Sequence, residues 1–435
     1  MTPTCLAALL LAPWGAFAAD EAQQDSAAAF QSTYVWQRQP AFAAPYSGPH
    51  SFDAAREKGY SFSATAFFGW RLGTATELYA DVEAVQGEPL SHSQGLGALT
   101  NAEAQKSAGS NPVLYRARTF VRHTWGFGGE RVAVESDKNQ LAGGADANRI
   151  VLTAGSFSVT DVFDRSNYSG DPRTQFLNLA FTTHGAFDYP ADTRGYTWGA
   201  VLEGYRGDWQ FRAGRFQVPE QPNGPSLDNS VFRHFGDVAE AVHTHRIGAL
   251  DGSVRVLAFR DRAVMARFDD ALALAVRRGG APSLDAVRTG VQTKTGWGIA
   301  LDQAIAEGAG VFARAARSSG QQEVYAFAEI DRSVSLGALM HGGAWSRGKD
   351  TVGFAVARNG LSASHRAYLA AGGLGYFVGD GRLDYAPEQV AELFYSAALG
   401  EHLWLTGDWQ AIRHPGYNAD RGPVHVFSAR LHTEF

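Results

Sequence analysis

The last twelve residues of the chain, Val424-His425-Val426-Phe427-Ser428-Ala429-Arg430-Leu431-His432-Thr433-Glu434-Phe435, alternate between two kinds of side chain. Successive side chains of an extended strand point to opposite faces, so one face carries Phe427, Ala429, Leu431, Thr433 and Phe435, and the other carries Ser428, Arg430, His432 and Glu434. A strand that separates lipid from water has this pattern, and an aromatic ring at its end suits the membrane interface. Such a strand must also pair with the first strand, because that removes both free edges. The terminus therefore predicts an all-β, transmembrane, antiparallel barrel of the outer-membrane type.

The composition agrees with a barrel, and it excludes a helical membrane protein and a nucleic-acid-binding protein. The 435 residues include 49 glycines and 12% aromatic residues, and the mean hydropathy is −0.20. A run of about 18 apolar residues, which a membrane-spanning helix needs, does not occur. The net charge of −6 offers no basic surface for nucleic acid. We therefore expect outer-membrane lipid and small solutes as partners.

The composition also divides the chain into three parts. An apolar stretch over residues 6–12, followed by Ala16-Phe17-Ala18, has the pattern of an export signal with its cleavage site. The only cysteine, Cys5, lies in this leader. We predict a signal peptide over 1–19, a mobile segment rich in Asp, Gln and Ala over 20–31, and a single barrel domain over 32–435.

Seventeen segments with a two-residue period follow, 322–332 among them, and clusters of Gly, Pro, Asn and Asp separate them. A closed bacterial barrel with both termini on the periplasmic side has an even number of strands, so we predict about sixteen and expect one segment to be wrong. Short connections at 71–74, 206–208 and 399–401 indicate periplasmic turns. Residues 271–278, after two aspartates, predict a short helix in an outer loop. The long connections, predicted to be outer loops, are 87–112, 158–194, 218–235, 263–293, 359–386 and 413–423.

Segments 77–84 and 115–122 form the first candidate site. An antiparallel hairpin across the connection 87–112 sets four pairs opposite one another: Glu77 with Arg122, Tyr79 with Phe120, Asp81 with Arg118, and Glu83 with Arg116. Opposite charges at such positions contribute about 0.2–1 kcal/mol each. We predict that these charged residues line the lumen and bind a neutral polyhydroxylated solute. In the alternative interpretation, the pairs neutralise one another and only line the wall.

The long connection 158–194 is the second candidate site. Loops of this length are usually functional or disordered, and its aromatic residues favour order. Folded into the lumen, it would narrow the pore with hydrogen-bonding groups for sugar hydroxyls and flat faces for sugar rings. In the alternative interpretation it is an extracellular lid packed on itself. The candidate binding residues in this loop are Asp161, Phe163, Asp164, Asn167, Tyr168, Asp171 and Arg173.

Further segments, taken together, resemble one known family. These are Asp171-Pro172-Arg173-Thr174-Gln175-Phe176-Leu177-Asn178, Arg212-Ala213-Gly214-Arg215-Phe216, Gly379-Asp380-Gly381, Tyr385-Ala386-Pro387-Glu388, Asp408-Trp409-Gln410 and Asn418-Ala419-Asp420-Arg421-Gly422-Pro423. From about residue 31 to its end the chain resembles the carbohydrate-selective porins of the OprB family. The resemblance implies a sixteen-stranded outer-membrane barrel, often trimeric, that passes glucose and related sugars by diffusion through a constriction lined by arginines and carboxylates.

The predicted function is therefore an outer-membrane channel for small carbohydrates in a Gram-negative cell, with no catalytic residue, cofactor or metal. His243 and His245 share one strand face, but two imidazoles without a third ligand seldom hold a metal ion. The main alternative is an outer-membrane barrel hydrolase that uses Ser362, Ser364 and His365. A soluble sugar-binding β-protein is a third possibility, and it would need a second sheet to cover its apolar faces.

Overall fold

A computed structural model describes residues 23–104, 109–327 and 329–435, and sixteen of its antiparallel strands close into one barrel. The predicted signal peptide lies outside the described residues. The barrel strands are β1 Ser26–Gln39, β2 Glu57–Arg71, β3 Thr76–Glu88, β4 Val113–Gly126, β7 Arg149–Phe157, β8 Thr197–Arg206, β9 Trp209–Phe216, β10 Phe235–Ile247, β11 Leu250–Val264, β12 Val291–Ala306, β13 Ala309–Ser318, β14 Arg332–Gly342, β15 Arg347–Gly360, β16 Glu388–Ala398, β17 Leu403–Arg413 and β18 Val424–Glu434. A separate two-stranded sheet consists of β5 Arg131–Val134 and β6 Gly143–Asp146.

The first and last strands, β1 and β18, pair and close the barrel as predicted. Arg430 of β18 lies opposite Val35 of β1. Phe427 and Leu431 are exposed on the outer surface, whereas Arg430 and His432 are buried on the inner side. The alternation in the last twelve residues therefore separates the lipid-facing side of this strand from the lumen.

Helices occur only in the connections of the described part of the chain. They are α1 Leu179–Thr182, α2 Phe268–Arg278 and α3 Ala363–Ala370. Helix α2 forms where the sequence predicts it and ends at Gly279, whose φ of 78° is one that glycine adopts without strain. Within the described ranges, no helix is long and apolar enough to cross a membrane.

The surplus strand among the seventeen predicted segments is 322–332. Among the described residues of this segment, only Arg332 belongs to a strand, and the others lie in the connection between β13 and β14. Its residues Val324 and Tyr325 are buried among other connections, and the backbone N–H of Tyr325 donates to the Asp188 carboxylate at 2.8 Å. The apolar residues of this segment are covered by protein and not by lipid, so their alternation does not indicate a membrane strand.

The prediction of a mobile segment over 20–31 is wrong for residues 26–31, while 20–22 lie outside the described residues. Residues 26–31 belong to β1 and pair with β2, starting with Ser26 opposite Trp70. The small side chains at 27–29 suggest weak order, but both neighbouring strands of a closed barrel satisfy the backbone of β1. The described barrel therefore begins at Ser26.

One side of the lumen is filled by the connection between β7 and β8, residues 158–196, which we call the constriction loop. Its Phe176 packs against its Phe181 and against Phe312 and Phe394 of the wall, with ring centroids 5.0–5.7 Å apart. An apolar core therefore lies inside the barrel and holds the loop against strands β13 and β16.

Candidate functional site

Buried polar side chains of the wall fix the constriction loop inside the lumen. Arg430 of β18 donates hydrogen bonds to the carbonyl oxygens of Pro172 and Gln175, both at 2.7 Å. Hydrogen bonds to charged groups are strong, and a buried group left without its partner costs about 1–3 kcal/mol. The loop is thus a fixed inner structure, and the alternative of an extracellular lid is wrong. Other wall residues with the same role are Arg314 with Ser169 and Phe181, Glu392 with Leu177 and Asn178, and Asp302 with Ser166 and Asn167.

Three of the four predicted cross-strand pairs are present in the hairpin of β3 and β4. They are Glu77 with Arg122, Tyr79 with Phe120, and Asp81 with Arg118. Nη1 of Arg118 lies 3.2 Å from Oδ2 of Asp81, and Nη1 of Arg122 lies 3.9 Å from Oε2 of Glu77. The hairpin therefore carries both signs of charge on its inner face.

The fourth predicted pair, Glu83 with Arg116, is wrong because of a β-bulge. Ala117 is the extra residue, and beyond it Glu83 lies opposite Tyr115. Arg116 consequently points outward, where its guanidinium carbon lies 5.1 Å from the centre of the Trp198 ring. Tyr115 points inward and donates its hydroxyl hydrogen to Glu83. A single extra residue exchanges the two faces of a strand, and it removes Arg116 from the predicted lumen lining.

The loop and the wall meet at a group of charged side chains, of which all but Glu83 are partly exposed to water. Arg118 binds the carboxylate of Asp161 with two hydrogen bonds of 2.7 Å, and Arg173 lies 2.9 Å from both Glu83 and Glu103. The side chain of Arg118 is 14% exposed and that of Asp161 is 31% exposed. Burial alone would raise the pKa of Asp161, but Arg118 holds it below its usual value, so the carboxylate stays ionised. We call Glu83, Glu103, Arg118, Asp161 and Arg173 the constriction cluster.

Two tyrosines that the sequence analysis did not single out border the constriction cluster. The hydroxyl of Tyr196 donates to Glu83 at 3.0 Å, and the guanidinium carbon of Arg118 lies 5.2 Å from the centre of its ring. The rings of Tyr115 and Tyr196 are 5.9 Å apart and tilted by 56°. The β-bulge conceals Tyr115 from a sequence-based prediction, and Tyr196 follows the predicted end of the loop at residue 194.

Two predicted binding residues of the loop are buried in the protein interior. Phe163 is fully buried and packs edge-on against Phe216 at 6.2 Å. The Asp164 carboxylate accepts a hydrogen bond from His184 and lies 3.3 Å from Nε of Arg314. These two residues hold the loop in place, and neither reaches a solute in the lumen in this structure.

Three other residues of the constriction loop that are predicted to bind the solute stabilise the conformation of the loop. The backbone N–H of Asn167 donates to Asp302 at 2.9 Å, and the ring of Tyr168 fills the space beside Gly310, where a Cβ would lie only 2.0 Å from it. The Asp171 carboxylate accepts the backbone N–H of Arg173 at 2.9 Å. Asp171 therefore orients Arg173 toward the constriction cluster.

The residues of the alternative hydrolase site have structural roles. Ser362 is the N-cap of α3, since its hydroxyl accepts the backbone N–H of His365 at 3.1 Å, and it donates to the carbonyl oxygen of Gly320 at 2.5 Å. Nδ1 of the His365 ring lies 3.1 Å from Asp331, and Nε2 lies 3.4 Å from Glu329. Both imidazole nitrogens thus face carboxylates, so the ring is not placed to activate a serine.

A model of the family "Carbohydrate-selective porin, OprB family" matches residues 59–435. The chain belongs to this family. It is therefore a channel of the bacterial outer membrane and not an enzyme. The match begins at residue 59, somewhat later than the start near residue 31 expected from the sequence.

A solved porin structure has the same fold. The high-pH structure of Pseudomonas putida OprB aligns with a TM-score of 0.71 at 16% identity and covers 94% of each chain. The low-pH structure of that protein aligns with a TM-score of 0.49 at 13% identity, over 94% of this porin and 93% of that chain. No curated protein sequence matches the chain.

Proposed function

We propose that small neutral sugars such as glucose diffuse through this porin past the constriction cluster. The observation that supports this most directly is the pairing of Arg118 with Asp161 across the junction of wall and loop. It presents donors and acceptors of fixed geometry to the lumen. Arg173 lies next to it between two carboxylates.

The chemistry of the constriction cluster suits hydroxyl groups better than ions. An entering cation would meet Arg118 and Arg173, and an entering anion would meet Asp161 and Glu103, so neither sign is strongly favoured. Sugar hydroxyls can donate to the carboxylate oxygens and accept from the guanidinium groups, while the ring of Tyr196 offers a flat apolar face. Each such contact replaces a hydrogen bond to water, so the net binding is weak and the sugar leaves again.

Removal of Arg118 tests this proposal. We expect Arg118→Ala to change the relative uptake rates of mono- and disaccharides by roughly three- to tenfold, because a hydrogen bond to a charged group is lost. Swelling of proteoliposomes in a panel of sugars measures these rates. Arg116→Ala is the matched control, since it removes the same side chain from the same strand on the outer face.

Equal effects of the two substitutions would contradict a role for the constriction cluster in sugar selection. The same experiment identifies the preferred sugars, since the wild-type rates rank them directly. Wild-type proteoliposomes that do not swell faster than empty ones in any sugar would contradict the proposed function as a whole.

Assembly into homotrimers, which the family resemblance implies, is a separate proposal. The mass of the detergent-solubilised porin, measured by light scattering with correction for bound detergent, should be three times that of one mature chain, which is somewhat below the 46.7 kDa of the full sequence. A mass of one chain would contradict it.

A further inference from the structure

The connection between β4 and β7, residues 127–148, lies at the end of the barrel that carries both chain termini. It contains the hairpin of β5 and β6, and it is far longer than the two-residue turn at 207–208 on the same side. The sequence analysis did not identify it. We call it the periplasmic connection.

Several hydrogen bonds fix the periplasmic connection across the mouth of the lumen. Leu141 is buried, and its backbone N–H donates to the hydroxyl of Tyr79 at 3.1 Å. Nη2 of Arg71, at the end of β2, donates to the carbonyl oxygen of Ala142 at 3.1 Å. The segment therefore lies beneath the charged face of β3 and β4.

Asn139 joins this segment to the inner face of β3 and β4. Its backbone is in the left-handed region with φ of 59°, which asparagine tolerates better than most residues. Its side-chain amide donates to Asp81 at 2.9 Å, and its backbone carbonyl oxygen accepts from Arg122 at 3.0 Å. Asp81 and Arg122, which the sequence predicts to line the lumen, are thus hydrogen-bonded to the periplasmic connection.

Lys138 extends further across the mouth. Its Nζ lies 2.8 Å from Oε2 of Glu434 on β18, and its side chain remains 27% exposed. Lys138 also acts on the constriction loop. Burial alone would raise the pKa of Asp171, but Lys138 and then Arg173 hold it below its usual value. Asp81, which accepts from Asn139, also pairs with Arg118, and Arg118 binds Asp161 of the constriction loop. The periplasmic connection and the constriction loop, which enter from opposite ends of the barrel, therefore meet at the same charged network.

We infer that the periplasmic connection forms the inner half of the constriction, and that Lys138 is a selectivity-determining residue for solutes and ions leaving toward the periplasm. A solute that has passed Arg118 and Arg173 next meets the ammonium group of Lys138 and the amide of Asn139. The ammonium group favours anions and oxygen-rich solutes at this exit. The inference rests on the proposed function only in requiring a water-filled path past the constriction cluster.

Site-directed modification of one cysteine tests the inference without any sugar. Cys5 is the only cysteine of the chain and lies in the predicted signal peptide, so Lys138→Cys introduces a unique thiol into the mature barrel. Planar bilayers under a KCl gradient give the ratio of cation to anion permeability. We expect Lys138→Cys to raise this ratio roughly threefold, because one positive charge beside the path is lost. A cationic methanethiosulfonate should restore the wild-type ratio, and an anionic one should raise the ratio further.

Arg131→Cys is the matched control. It removes one positive charge from the same connection, but the Arg131 side chain is 69% exposed and pairs only loosely with Asp146 at 3.5 Å. We expect its permeability ratio to equal that of the wild type before and after modification.

The outcomes separate the inference from the proposed function. If the wild type conducts ions but Lys138→Cys shows the wild-type ratio and no response to either reagent, the inference is wrong and the proposed function stands. A wild type without ion conductance would overturn both. The double substitution K138E/E434K keeps an ion pair in place while moving the cation to the wall, so it controls for loss of the contact with β18. It should retain the heat-modifiable mobility of a folded barrel.

Discussion

Arg–carboxylate pairs occur on two sides of the lumen, and the two sides differ in how much water reaches them. On β3 and β4, Arg118 and its partner Asp161 are partly exposed. On β11 to β13, Arg255 with Asp302 and Arg314 are almost completely buried beneath the constriction loop. The same residue types therefore hold the loop on one side and face the path of the solute on the other.

This difference shows that residue type alone does not indicate function in a barrel lumen. A buried guanidinium that donates to loop carbonyl oxygens contributes to stability, since its removal leaves buried groups without partners. A guanidinium that water reaches can exchange its contacts with a passing hydroxyl. An arginine that the constriction loop buries therefore stabilises the fold, and an arginine that it leaves in contact with water can bind a solute.

The largest effect on stability is expected on the buried side. Arg314→Ala should lower the free energy of unfolding by about 3–5 kcal/mol, because it leaves the buried Asp164 carboxylate with one fewer cation and Ser169 without its donor at 2.6 Å. Urea unfolding followed by heat-modifiable mobility measures the change. Arg317→Ala, on the outer face of the same strand, should cost less than about 0.5 kcal/mol. A cost for Arg314→Ala as small as that of Arg317→Ala would remove the distinction between the two sides.

A somewhat smaller effect, dependent on pH, is expected in the outer connections. Burial alone lowers the pKa of His365, but Asp331 and Glu329 outweigh it and raise the pKa from 6.5 to about 9. The stabilising contribution, about 3 kcal/mol, is fully present below the unfolded pKa of 6.5 and is lost as the pH rises through about 9. Thermal unfolding at pH 6.5 and pH 10 should show the loss.

His365→Gln is the control for this pH dependence. The glutamine does not titrate, so the stability of the variant should change less between the two pH values than that of the wild type. Equal changes in both proteins would mean that other groups carry the pH dependence.

The smallest effect is expected where an ion pair is exposed and holds no loop. Asp237 binds Nε of Arg215 at 2.7 Å and Nη2 of Arg260 at 2.5 Å, but both arginines are exposed. Asp237→Asn should change the free energy of unfolding by less than about 1 kcal/mol, because water and salt screen such pairs. A cost near that of Arg314→Ala would show that burial is not what separates the two classes of pair.

Much of the fold follows from short-range patterns. The alternation in the last strand predicts closure with β1, and the aspartates before Ala271 predict α2. The prediction fails at 322–332 because protein can cover an alternating segment as well as lipid can. It also fails at Arg116, because the bulge at Ala117 depends on pairing with β3 and leaves no local signal.

Alternation along each strand is a local property, so in regular strands such as β18 the amino-acid order alone indicates which residues face lipid and which face inward. It does not specify which inward residues meet water. That depends on contacts between residues far apart in the chain, such as Arg430 with Pro172 and Lys138 with Glu434. Only the folded loops bury one set of charges and leave Arg118 and Asp161 partly exposed, because burial is a property of the whole assembly and not of any single segment.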